Sequence, residues 1–149
     1  MKTDAVNYLK DKAEQKKLSD TACFSRDRAS KAHLQEQCNA LHAYRNEYRE
    51  KLRLALIEGS PLQLVQEYQV FIGSLDRAIE HANLSMERQE RDIEQSMLNM
   101  KDSIREHASL NALCTRREER QIEEKNKREL KEMDMIVTSL YQRKQRSEL

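Results

Sequence analysis

Pro61 is the only proline among 149 residues, and it sits in the run Glu58-Gly59-Ser60-Pro61-Leu62-Gln63. Proline has no amide hydrogen and its ring clashes with the preceding turn, so a helix admits it mainly at its start. The expected local structure is therefore a helix, a tight corner and a second helix. Gly59 suits the left-handed residue that closes the first helix. Ser60 is the expected N-cap, Pro61 the first helical position and Gln63 the residue that closes a capping box. The only other glycine is Gly73, and 36% of the residues are charged. A chain of strong helix formers, poor in aromatic and β-branched residues, points to long helices or coiled coils and away from sheet.

Composition also narrows the function. Basic and acidic residues number 27 and 26 and are closely interleaved, for a net charge of +1. That balance gives no electrostatic reason to expect nucleic acid or an anionic membrane as the main partner. No apolar run approaches the ~20 residues that span a bilayer, so direct membrane insertion is not expected. Residues 1–5 lack the apolar stretch of a secretory signal. Cys23, Cys38 and Cys114 are odd in number and widely spaced, unlike a disulfide framework. A cytoplasmic protein is the expectation.

The whole chain reads as one all-α coiled-coil domain, with a helix over 4–57, a corner at 58–61 and a helix over 61–143. Thr3 would cap the first helix, and Asp4 would face its positive end. The clearest seam of the first helix is Leu34, Gln37, Leu41, Tyr44, Tyr48 and Leu52, in steps of three and four. Carried backward, this register meets Ala13, Lys16, Asp20, Cys23, Asp27 and Ser30. A shifted seam through Leu18, Ala22, Ser25 and Ala29 is more apolar, so a register break is expected near residues 30–34. In the second helix the seam runs Leu64, Tyr68, Phe71, Leu75, Ala78 and Ala82. It slips near Ile79 and continues through Met86, Ile93, Met97, Met100 and Ile104. Gly73 lies inside this helix at a cost of about 1 kcal/mol relative to alanine, which marks a weak spot or a close backbone approach.

Folding at Gly59-Ser60 makes the helices antiparallel, with facing residues whose numbers sum to roughly 119. Tyr48 then meets Phe71, Tyr44 meets Leu75 and Leu41 meets Ala78. Two seams found separately in each helix thus land on each other, as a hairpin coiled coil requires. Residue 4 faces about residue 115, so 115–143 overhangs by roughly 45 Å at the α-helical rise. In the overhang Leu130, Met133, Ile136, Val137 and Leu140 share one stripe. An isolated helix of this length is marginal in water, so such a stripe needs an external partner or a second copy of itself.

Tyr44-Arg45-Asn46-Glu47-Tyr48-Arg49, followed by Tyr68-Gln69-Val70-Phe71-Ile72-Gly73-Ser74-Leu75-Asp76-Arg77-Ala78-Ile79-Glu80, resembles the flagellar export family FliJ. Lys131-Glu132-Met133-Asp134 is similar to that family's C-terminal segment. The resemblance covers almost the full length, and its central block is the specific part. It implies a component of the flagellar type III export apparatus, shaped like the stalk helices of the rotary-ATPase γ subunit and located in the cytoplasm at the inner-membrane flagellar base. The implied partners are the hexameric export ATPase FliI, whose central hole the stalk enters, the cytoplasmic region of the export gate FlhA, and export chaperones. Gln37, Leu41, Tyr44, Tyr48, Phe71, Leu75 and Ala78 match the block tied to the gate contact. A family histidine just after Ala-Ile-Glu has no exact counterpart: Ala82 stands there, with His81 one position earlier.

Bland readings stand beside these. Aromatic residues at seam spacing are usually packing, although a two-stranded coil leaves their edges at the surface. His33, His42, His81 and His107 are scattered. Cys38 would face about His81, and two ligands do not make a metal site. The carboxylates lie on solvated faces and neither glycine belongs to a phosphate loop, so no cofactor, metal or catalysis is expected. The ATPase contact is assigned to Leu130, Met133, Ile136, Val137 and Leu140, together with the start of the first helix. Two alternatives are the stalk of a virulence secretion system and a holdase or adaptor uncoupled from any ATPase.

Overall fold

A computed structural model describes residues 2–148, with side chains from Asp4 onward. Helix α1 spans Lys2–Glu58 and helix α2 spans Leu62–Ser147. The two pack against each other as a helical hairpin, with no strand among the described residues. Thr3 falls inside α1, and its expected capping side chain lies outside the described ones.

The corner is built by Gly59, whose φ of 71° is left-handed. The Ser60 amide donates to the Ala55 carbonyl at 2.9 Å, the long bond of a Schellman ending. Because that bond ties Ser60 to α1, the second helix starts one residue later than expected. The amides of Leu64 and Val65 both donate to the Pro61 carbonyl, at 3.0 and 3.3 Å. Pro61 thus occupies the cap, where its missing amide is harmless. No side-chain bond from Ser60 toward Gln63 forms among the described residues.

The chain divides into two compact units, one of Lys16–Ser103 and one joining the residues up to Gln15 with those from Ile104. In the Lys16–Ser103 unit the inward positions of α1 run 17, 20, 24, 27, 31, 34, 38, 41, 45, 48, 52 and 55, with Cys23 and His42 half-buried beside them. Those of α2 run 65, 68, 72, 75, 79, 82, 86, 89, 93, 96, 100 and 103, with Leu64, Gly73, Ala78, Ser85 and Met97 half-buried beside them. Each set alternates strictly between steps of three and four, the pattern of an uninterrupted heptad seam.

The expected register break near residues 30–34 is therefore absent. Leu18 is 61% exposed, and Ala22, Ser25 and Ala29 also face outward. The expected slip at Ile79 is absent too: Val65 and Ile72 take the positions assigned to Leu64 and Phe71, while Ser103 is inward and Ile104 outward. The unbroken register tolerates polar residues because a two-stranded seam stays partly wet and its polar groups find partners. Ser103, 1% exposed, donates its hydroxyl to the Asp20 carboxylate. Gln89 Nε2 donates to the Asp27 carbonyl at 3.2 Å, and Lys31 pairs with Glu90 at 3.1 Å. Lysine stems at positions 17 and 31 cover apolar surface while their ammonium groups reach water.

In the other unit, Ala13 and Cys114 are buried, and the Cys114 thiol donates to Asn7 Oδ1 at 3.6 Å. His107, Leu110, Cys114 and Arg117 mark the inward side of α2. Every described residue from Glu118 to Glu148 is exposed.

Candidate functional site

Two surfaces carry the residues singled out by sequence. The first lies in the Lys16–Ser103 unit. Tyr48 and Phe71 bring their rings to 4.4 Å between centroids, and Tyr68 meets Tyr48 edge-on at 6.0 Å. Leu75 is buried, Leu41 and Ala78 are half-buried, and Gln37 and Tyr44 are exposed. Gln37 and Tyr44 are thus corrected from seam knobs to flank residues. Cys38 and Arg45, one position later, occupy the seam.

Heptad geometry explains why these residues cluster. Gln37 and Tyr44 precede seam positions 38 and 45, while Phe71 and Ala78 precede seam positions 72 and 79. In an antiparallel pair, positions with this shared offset line the same flank. With Leu41 and Tyr48 they form one surface over the buried Leu75, where Tyr44 is 55% and Phe71 41% exposed. Leu75 thus supports this surface but does not itself present to it. Lys51 Nζ sits 4.6 Å from the centre of the Tyr48 ring, a cation–π contact. Its ammonium also pairs with Glu47 at 3.3 Å, and that hydrogen bond holds the Lys51 pKa above the usual lysine value.

The opposite flank is ionic. Arg45 bonds Asp76 at 3.2 Å and His42 Nδ1 at 3.0 Å, and Arg49 approaches Asp76 at 3.9 Å. Sequence reasoning passed over Arg45 because a charged residue is a poor seam candidate. Asp76 on the facing helix was the signal available for it. Val70 and Phe71, with Gln63, Gln66, Glu67 and Ser74, line a shallow groove on α2. Gly73 has open space where a Cβ would project, so no close approach within the chain requires glycine there. The Cys38 thiol donates to Asn83 Oδ1 at 3.6 Å, which replaces the expected facing of Cys38 and His81. His81 itself points outward.

The second surface lies in the other unit, on α2 beyond Arg117. Leu130, Met133, Ile136, Val137 and Leu140 are all exposed, and so are Met135 and Tyr141, which the sequence reading omitted. Tyr141 follows Val137 by one helical turn and extends the stripe, so its spacing alone would have found it. Continuing the inward positions 107, 110, 114 and 117 along the tail gives Gln121, Glu124, Arg128, Lys131, Met135 and Thr138. That side is mostly polar, whereas the apolar stripe is rotated from it by roughly half a turn. The stripe is thus a separate face, not the unpaired remainder of the hairpin seam.

Among the described residues no group of three potential ligands gathers to hold a metal ion, and no helix is long and apolar enough to cross a membrane. A family model described as Flagellar FliJ protein matches residues 4–146. No curated protein matches the chain.

Proposed function

The chain belongs to the flagellar FliJ family, a non-catalytic component of flagellar export, and we propose that it acts there as a stalk-like coupling protein between the export ATPase ring and the membrane export gate. The observation that carries this reading is the division of labour along α2. One part is packed on α1, and another, from Glu118 onward, is fully exposed and bears an apolar stripe. Exposed apolar stripes mark interfaces.

In this reading Leu130, Met133, Ile136, Val137 and Leu140, with the start of α1, contact a FliI-like hexamer. The flank formed by Gln37, Leu41, Tyr44, Tyr48, Phe71, Leu75 and Ala78 meets an FlhA-like gate. Export chaperones are further partners, and the working location is the cytoplasmic side of the flagellar base. A stalk that binds the nucleotide states of a ring unequally shifts their populations, and by linkage nucleotide state shifts stalk affinity. A photo-reactive group at Ile136 tests the placement. Cross-links to the pore-lining face of the hexamer support it, and cross-links confined to the outer face remove it.

A further inference from the structure

The tail stripe has a symmetry of its own, independent of any export partner. Leu130 and Val137 share one heptad position, and Met133 and Leu140 share the other. Read against itself in reverse, the stripe is complementary about a centre at residue 135. Leu130 then faces Leu140 of a second copy, and Met133 faces Val137. Asn126 and Lys144 form the polar ends of this four-layer core.

The flanking residues favour the same arrangement. In antiparallel pairing Glu129 lies opposite Arg143 of the second copy, twice by symmetry, and Ile136 meets its own counterpart at the centre. Lys127 lies opposite Tyr141, and Asp134 opposite Asp134, the one like-charged pair. A parallel arrangement would instead place Glu129 against Asp134 twice, a repulsion that its two Arg143–Glu148 pairs only offset. The antiparallel one sets two attractive pairs against a single Asp134–Asp134 contact. Length agrees as well. The paired residues 126–144 lie wholly inside the exposed segment 118–148.

We propose that the tails of two copies of this chain pair antiparallel over residues 126–144, burying the apolar stripe. Tail pairing and the seating of the tail on a ring ATPase then exclude each other, so the dimer is a resting form that a ring must displace.

Sedimentation equilibrium on the full chain alone, without any export component, tests this separately from the coupling role. The expected result is a reversible monomer–dimer equilibrium that Ile136→Asp abolishes. Glu129→Arg weakens it by about tenfold, and adding Arg143→Glu restores it. Mixed Glu129→Cys and Arg143→Cys chains form a 129–143 disulfide. A chain that stays monomeric throughout, a dimer indifferent to Ile136→Asp, or preferential 129–129 cross-links would each overturn the proposal.

Discussion

Tyr48 on α1 and Phe71 on α2 hold their rings 4.4 Å apart, with Phe71 still 41% exposed. The pair therefore does two things at once. It joins the helices near the corner and leaves at the surface an aromatic edge with little side-chain entropy left to lose.

Neighbouring residues on this flank separate packing from binding. Leu75→Ala removes a buried side chain and is expected to lower stability by about 2 kcal/mol, the lower end for core leucines because a two-stranded seam is thin. Tyr44→Ala is expected to change stability by no more than about 0.5 kcal/mol while weakening gate binding. Urea unfolding and a titration with the gate's cytoplasmic region measure the two effects. Unaltered gate affinity in Tyr44→Ala would remove this flank from the gate contact.

The two glycines respond oppositely to alanine. Gly59→Ala forces a Cβ into left-handed backbone and should cost about 1 kcal/mol. Gly73→Ala meets open space within a helix and should stabilise by about 1 kcal/mol. Thermal unfolding compares them, and a loss of stability in Gly73→Ala would show that the helix is constrained at that point.

Ser103 and Asp20 test how the polar seam is tolerated. Ser103→Ala strips the half-buried Asp20 carboxylate of a donor and should cost about 1 kcal/mol. Replacing both by apolar residues, Asp20→Leu with Ser103→Ala, should recover that loss or exceed it. A double variant less stable than Ser103→Ala would mean that the hydroxyl–carboxylate pair is worth more than apolar packing at this layer.

The corner and the pairing of Tyr48 with Phe71 were legible because Gly59 and Pro61 act through backbone geometry, which the local sequence carries. The seam before Leu34 was not. Reading apolarity alone favours Leu18 and Ala22 over Lys17 and Asp20, whereas two long helices hold one register and let their polar seam residues find partners across the gap. Ser103 illustrates this, since nothing about an isolated serine announces an aspartate on the facing helix. Tyr44 was misplaced for a related reason. An aromatic outranks an arginine as a seam candidate until Asp76 is seen to hold Arg45 in place. The tail stripe was visible from spacing, but its rotation away from the seam required the inward positions to be known.

The coupling account is tested most directly by steady-state ATP hydrolysis of the partner ring with the full chain and with a chain ended after Thr115. Stimulation by the full chain that vanishes on truncation is the predicted result. Equal stimulation by both would contradict the account.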